Sequence, residues 1–364
     1  MAERSRDEPR ILLVRLGSLG DIVHALPAAA SLRDTFPGAR IDWAVGAKWQ
    51  RLLEGNPDLS NVVVASGAGA GGFAGTVRTL RAARYTCAVD FQALYKSALL
   101  AFFSRARVRI GFTSTYAREG LATIFYTERL NPRGAHKVDH NFTLAERAGA
   151  KKLAPRFPLT IHAQDEEAAA QALEQHNLRD YFVLNPGGGW LSKCWPAERY
   201  GELHRELEKR TGMRGVLSYG PGEEKLASEL ISSAGKPAPV GLPLGLGPLM
   251  ALLKKAKLVV SADTGPLHLA AALGAPVVGL YGPTDPARNG PYGALGTLLS
   301  PGALGASRDV VVRNAGQSET TYRRGASHSP AMLSITVKQV VEACERRLGG
   351  AASLSARGIA PASE

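Results

Sequence analysis

The chain is predicted to be an α/β protein built from two doubly wound parallel-sheet domains in tandem. Three observations predict this. Short apolar runs alternate with helical stretches along almost the whole length, which is the signature of βαβ units. The first strand of each half runs into a glycine-rich turn, "ILLVRLGSLGD" and "YFVLNPGGG". The length of 364 residues also accommodates two domains at about 150 residues each. The join falls near "APRFPLTIHAQ", giving domains over residues 1–162 and 163–348. The remaining 349–364, "GGAASLSARGIAPASE", are small and polar, and are predicted to be a disordered tail.

In the first half, "RILLVRL" is a strand and "DIVHALPAAASLRDTF" a helix that Pro37 and Gly38 end. Strand "RIDWAVG", helix "KWQRLLEGN" and strand "NVVVAS" follow, then a helix through Arg78 to Arg84. Strand "CAVDF", helix "YKSALLAFFSR" and strand "VRIGF" complete this half. In the second, "DEEAAAQALEQHN", "WPAERYGELHRELEKRT", "EEKLASELISSA", "LGPLMALLKKA", "PLHLAAALG" and "TVKQVVEACERRL" are helices. Between them lie strands "YFVLN", "GVLSYG", "KLVVSAD" and "APVVGLYG". In open parallel sheets ligands bind outside the carboxyl ends of the strands, so two such domains face to face would enclose a cleft.

Composition narrows the function classes. Cys87, Cys194 and Cys344 are few, odd in number and far apart, which is neither a disulfide framework nor a zinc site. No apolar run approaches the ~20 residues of a membrane-spanning helix. The start, "MAERSRDEPR", lacks the apolar stretch of a secretory signal. A cytoplasmic protein is expected. The net charge of +12 points to an anionic partner. Nucleic acid is not expected, because no recognition motif is present and few aromatics interleave the basic stretches. A dinucleotide oxidoreductase is disfavoured because "GSLGDI" lacks the G-x-G-x-x-G spacing, and no Lys-Ser/Thr pair follows to make a P-loop.

Four stretches carry candidate chemistry. In "VRLGSLGDIVHALP", Gly17 and Gly20 let the chain turn sharply. Asp21 stands where a helix begins, so by position it is an N-cap as readily as a catalytic acid. In "NPGGGWLSKCWPAERY", the N–H groups of Gly187, Gly188 and Gly189 suit phosphate, Lys193 adds a point charge, and Pro196 fits the first helical position. In "SADTGPLHLAAALG", the helix start at Asp263, Thr264 and Gly265 also suits a phosphate. His268 lies in the first turn there, as a site residue or as packing. Asp263 would repel a diphosphate and is better placed to accept from sugar hydroxyls. In "SYGPGEEKLA", Glu223 or Glu224 can take ribose hydroxyls, or simply complement a helix dipole. Basic residues also crowd the first domain. Arg105, Arg107 and Arg109 alternate and would share one face of a strand.

Taken together, "VRLGSLGDIVHALPA", "DFQALYKSALLA", "STYAREGLATIFY", "SKCWPAERY" and "SADTGPLHLAAALGAPVVGLYGPTDP" resemble the glycosyltransferase family 9 heptosyltransferases, most of all the type I lipopolysaccharide enzymes. The resemblance spans Ile11 to about Leu348. It implies a GT-B fold, two Rossmann-like doubly wound domains with the site in an interdomain cleft. It implies inverting, metal-independent transfer of L-glycero-D-manno-heptose from ADP-heptose to a Kdo sugar of the lipid A inner core, with no cofactor. The partners so implied are an ADP-sugar donor, a Kdo-lipid A acceptor and the anionic cytoplasmic face of the inner membrane. By motif, Asp21 matches the catalytic base. Gly188, Gly189, Lys193, Glu223, Glu224, Leu244, Asp263, Thr264, Gly265 and His268 match donor positions. Ser18, Gly20, Lys96 and Arg118 match the acceptor side. Two departures stand out. Three glycines precede Lys193 where relatives often place hydroxyl residues, so backbone N–H groups would take over. Residues 303–330 match only loosely, which leaves open another nucleotide sugar or another anionic glycan acceptor.

Overall fold

The computed structural model describes residues 8–65, 69–292, 311–314, 320–321 and 325–356. The chain divides into two compact units, Met1–Thr160 and Ile161–Glu364.

The first unit runs β1 (Arg10–Val14), α1 (Leu19–Val23), α2 (Leu26–Thr35), β2 (Arg40–Gly46), α3 (Gln50–Leu53), β3 (Asn61–Ala65), α4 (Gly69–Ala82), β4 (Cys87–Asp90), α5 (Tyr95–Phe103), β5 (Val108–Phe112), β6 (Glu128–Leu130) and α6 (Lys137–Arg147). Its sheet is wholly parallel, in the order β3-β2-β1-β4-β5-β6. Central β1 pairs Leu12 with Asp42 on one side and with Ala88 on the other. Ile11 to Val14 are buried without alternation because helices cover both faces of a doubly wound sheet. Leu12, Val14, Leu80, Leu100 and Ala101 lie in one core cluster.

The second unit runs α7 (Ala163–Glu174), β7 (Tyr181–Asn185), α8 (Ala197–Thr211), β8 (Arg214–Ser218), α9 (Glu224–Ala234), β9 (Val240–Leu242), α10 (Leu246–Lys255), β10 (Leu258–Ala262), α11 (Gly265–Ala272), β11 (Val277–Leu280), α12 (Pro286–Asn289), β12 (Val311–Val312), α13 (Pro330–Ser334) and α14 (Val337–Ala356). Its order, β12-β11-β10-β7-β8-β9, is that of the first sheet when each unit's strands are counted from its own first. Both are therefore Rossmann-like, with the switch of winding direction beside the first strand. Trp195, Tyr200, Phe182 and Met332 are buried together in its core.

Several local readings need correction. The helix expected over 21–36 is two helices, broken at His24 and Ala25. Pro27 has no N–H to donate back to Val23, so the first helix cannot run through it. Ser18, not Asp21, is the N-cap; Asp21 lies in the first turn. Pro196 is likewise the N-cap of α8 rather than its first residue. Arg105 and Arg107 precede β5, with Arg105 in the left-handed region at φ 62°, so the three arginines do not line a strand face. The final helix continues to Ala356, into the segment expected to be a tail; residues 357–364 lie outside the described ones. Most of 303–330 does too, apart from short pieces that include β12. Elements β6, α6, β9 and β12 were not anticipated, since three are strands of two or three residues and α6 is highly polar.

Candidate active site

In the first unit the chemistry gathers at the carboxyl end of β1. Leu16 donates its N–H to Gln92 Oε1 (2.7 Å), and the Arg15 guanidinium donates to the Phe91 carbonyl (2.7 Å). The loop after β1 is thereby tied to the loop after β4. A Cβ on Gly17 would come within 2.9 Å of the Trp49 indole, so packing against Trp49, rather than a left-handed turn, requires glycine there. Gly20 is buried within α1, and Ser18 is exposed.

Asp21 sits among donors from three directions. Oδ2 accepts from the Ser18 hydroxyl (2.8 Å), from the Ser18 N–H (3.3 Å) and from Arg15 (2.5 Å). Oδ1 accepts from Lys137 Nζ at 2.7 Å, reaching across from the start of α6. The Asp21 side chain keeps 20% of its exposure and Lys137 32%. Burial alone would raise the Asp21 pKa; the Arg15 and Lys137 charges and the hydrogen bonds from Lys137 and Ser18 outweigh it and hold the carboxyl well below its usual range. Asp21 is therefore an anion across the neutral range, and Oδ1, with one partner against three, is the less engaged oxygen. Lys96 on α5 and Arg118 in the loop after β5 are both exposed. The partners of Asp21 are Ser18, Arg15 and Lys137 rather than these two.

The second unit gathers its polar groups at the carboxyl ends of β7 and β10. Asn185, at the end of β7, donates to the Ser218 carbonyl of β8 (3.1 Å) and accepts from Ser261 Oγ (3.1 Å) and Thr264 Oγ1 (3.3 Å). Thr264, the N-cap of α11, thus has its hydroxyl turned toward Asn185 and Ser261, leaving the helix start to offer backbone N–H groups. Gly187 has a packing reason of its own: a Cβ there would lie 2.1 Å from Glu223 Oε1. One on Gly188 would meet Cys194 Sγ at 2.9 Å, whereas Gly189 faces open space.

Asp263 departs from expectation. It is only 4% exposed, and its oxygens are taken up by neighbours. Oδ2 is 2.9 Å from Lys193 Nζ and accepts from Asn289 (3.4 Å); Oδ1 is 3.0 Å from His268 Nε2. It therefore orients Lys193 and His268 rather than offering a lone pair to sugar hydroxyls. Burial would raise its pKa, but the His268 hydrogen bond and the Lys193 charge drive it far below the ordinary carboxylate value. The Lys193 ammonium also sits 4.9 Å from the Trp190 ring centroid, a cation–π contact that fixes it at the mouth of the glycine turn. Glu223 accepts from the Gly220 N–H (2.8 Å) and so shapes its turn, while exposed Glu224 accepts from the Gly222 N–H (3.1 Å). Leu244, between β9 and α10, is half-buried.

Reading the sequence missed Arg15, Lys137, Asn185 and Asn289. Arg15 carried a usable signal, since it directly follows the first strand, where ligands collect. Lys137 stands among the basic residues that crowd the first domain, but its pairing with Asp21, 116 positions away, carried no signal. Among the described residues no cluster of His, Cys, Asp or Glu is arranged to hold a metal ion, and no helix is long and apolar enough to cross a membrane.

The sequence signature of glycosyltransferase family 9 (heptosyltransferase) matches residues 74–317. The chain is 30% identical to lipopolysaccharide heptosyltransferase 1 of Pseudomonas aeruginosa over 78% of its own length and 81% of that protein's. It is similar in structure to the family 9 glycosyl transferase of Veillonella parvula, with a TM-score of 0.79 at 22% identity over 94% of this chain and 98% of that one. It is also similar to the Escherichia coli heptosyltransferase WaaC solved with ADP-2-deoxy-2-fluoro heptose, with a TM-score of 0.66 at 26% identity over 93% and 99% of the two chains.

Proposed function

The chain belongs to glycosyltransferase family 9 and is a glycosyltransferase of the GT-B class, and on that premise we propose that it moves L-glycero-D-manno-heptose from ADP-heptose to a Kdo residue of the lipopolysaccharide inner core. The observation that carries this reading is the Lys193–Asp263–His268 cluster at the carboxyl ends of β7 and β10, beside a glycine turn and an uncapped helix start. A buried carboxylate that orients a lysine at such a place suits a diphosphate leaving group, and the Escherichia coli relative was solved with an ADP-sugar analogue. Residues 1–162 bind the acceptor and 163–348 the donor.

Asp21 Oδ1 removes the proton of the acceptor hydroxyl as its oxygen attacks the anomeric carbon. The bond to ADP breaks on the opposite face, so the configuration inverts. Lys193 and the N–H groups at the start of α11 and in the turn at Gly188 and Gly189 stabilise the charge that develops on the diphosphate, without a divalent metal. Glu224 takes the ribose hydroxyls, and Leu244 lies against the adenine. Lys96 and Arg118 pair with the carboxylates and phosphates of a Kdo-lipid A acceptor. The enzyme works at the cytoplasmic face of the inner membrane, held there by its net positive charge.

Incubation with a panel of nucleotide sugars and Kdo-lipid A, scored by mass spectrometry, tests the reading. A mass gain of one heptose, from ADP-heptose alone and unchanged by EDTA, is expected. Transfer of a different sugar, or transfer only to an acceptor without Kdo, replaces it with a same-fold transferase of other specificity.

A further inference from the structure

Seven large apolar side chains stand exposed among the described residues, and five of them fall between positions 95 and 124: Tyr95, Phe102, Tyr116, Leu121 and Ile124. All but Tyr116, which lies in the loop after β5, belong to two elements that pack on one another, α5 and the 3₁₀ turn Gly120–Phe125. Leu121 and Ile124 are 70% and 64% exposed. Residues three apart on a 3₁₀ helix stack on one edge, so these two form a continuous apolar ridge. On α5, Tyr95 and Phe102 are two turns apart and share a face. The Phe102 ring meets Phe125 at 5.4 Å between centroids, which joins the helix face to the turn.

The border of this surface is cationic. The Arg109 guanidinium lies over the Phe102 ring (5.5 Å) and donates to the Phe125 carbonyl (2.7 Å). Arg129 donates to the Thr123 carbonyl (2.8 Å). Lys96, Arg105, Arg107 and Arg118, on the same stretch of chain, are exposed. From residue 95 to 133 the chain has seven Lys and Arg against two Glu, a large part of the net +12. A solvated basic face has no need of an aliphatic ridge, and a protein-binding apolar patch has no need of so one-sided a rim. Apolar tips flanked by Arg109 and Arg129, on a stretch rich in exposed cations, match an anionic lipid surface, where the tips enter the acyl boundary and the cations meet headgroup phosphates.

We propose that α5 and the Gly120–Phe125 turn form the membrane-docking surface of this chain, with Leu121 and Ile124 inserting into an anionic lipid bilayer. Attachment then has two components, and high salt removes only the electrostatic one. The inference deepens the proposed function and rests on its lipid-borne acceptor. Vesicle binding, however, is measured with no sugar substrate present, so a chain that binds vesicles but transfers no heptose leaves this inference standing and sinks the other.

The experiment is cosedimentation of the full chain with phosphatidylcholine vesicles, with and without phosphatidylglycerol. The wild type should partition onto the anionic vesicles and keep a residual fraction there at high salt. The L121S/I124S variant, altered only at exposed positions and so unchanged in thermal unfolding, should lose partitioning about tenfold, as should R105E/R107E. The emission of an L121W variant should shift to the blue on anionic vesicles. Equal partitioning of wild type and L121S/I124S overturns the proposal, as does equal binding to neutral and anionic vesicles. A concentration-dependent dimer that the same double substitution abolishes would also overturn it, by making the patch a self-association face.

Discussion

Asp21 and Asp263 are the same chemical device in two settings. Each is a carboxylate at the carboxyl edge of a parallel sheet, gripped by a lysine, and each is held well below its ordinary pKa although burial pushes the other way. They differ in access. Asp21 keeps a fifth of its side-chain exposure, and its Oδ1 has a single partner that is itself a third exposed. Asp263 has almost no exposure: Oδ1 faces buried His268, and Oδ2 is held by buried Asn289 and by Lys193, itself only 14% exposed. A carboxylate whose partner can move aside is able to receive a proton. One that is locked in serves by holding other groups in place. Access, rather than residue type or number of partners, separates the two settings.

Substitutions can break this contrast. The largest effect is expected from Asp21→Asn, which keeps the Ser18 contacts but cannot act as a base. Turnover of the folded variant should fall roughly 10²–10⁴-fold, with a lowered melting temperature as the Arg15 and Lys137 ion pairs are lost; near-normal turnover would remove Asp21 from the chemistry. Lys193→Ala should come next, raising the donor KM and slowing transfer about tenfold or more. It also strips the buried Asp263 of its cation, at a cost of about 3 kcal/mol in a denaturant titration. Donor kinetics that do not move would place the phosphates elsewhere.

Lys137→Met sharpens the comparison. Without that charge, burial acts on Asp21 with less opposition, so its pKa rises and the acid limb of the kcat/KM profile should move to higher pH. Lys137→Arg should restore the limb, whereas a limb that stays put in Lys137→Met would show that the ion pair is only structural. Stability tests both carboxylates together. Because each is depressed in the folded chain, the unfolded chain binds more protons in acid. Their contribution should be full above the unfolded value of about 4 and lost as pH falls through the folded values. Unfolding free energy that declines already between pH 7 and 5 in the wild type but not in Asp263→Asn would contradict this. The smallest effect belongs to Glu224→Ala: an exposed hydrogen-bonding group should cost roughly two- to fivefold in donor KM, with kcat unmoved.

Much of this was legible along the chain. The alternation of apolar runs with helical stretches gives both sheets, and "ILLV" reads as a doubly covered strand because no polar residue interrupts it. The glycine turns, Lys193 and the "SADTG" block locate the ends of β7 and β10 because turn chemistry is local. Less could be read of the short edge strands β6, β9 and β12, which hold too few residues to show a period. The break between α1 and α2 could have been found, since Pro27 stands in plain view.

Sequence by itself determined the strand–helix order, the repeated Rossmann-like winding and the family, because these follow from patterns a few residues long. Tertiary structure alone decided the surroundings of each acid. Lys137 meets Asp21 across 116 positions, and Asp263 is sealed by Lys193 from 70 positions away. Carboxylate behaviour is set by burial and by charges within a few ångströms, and neither quantity is written in the order of the residues.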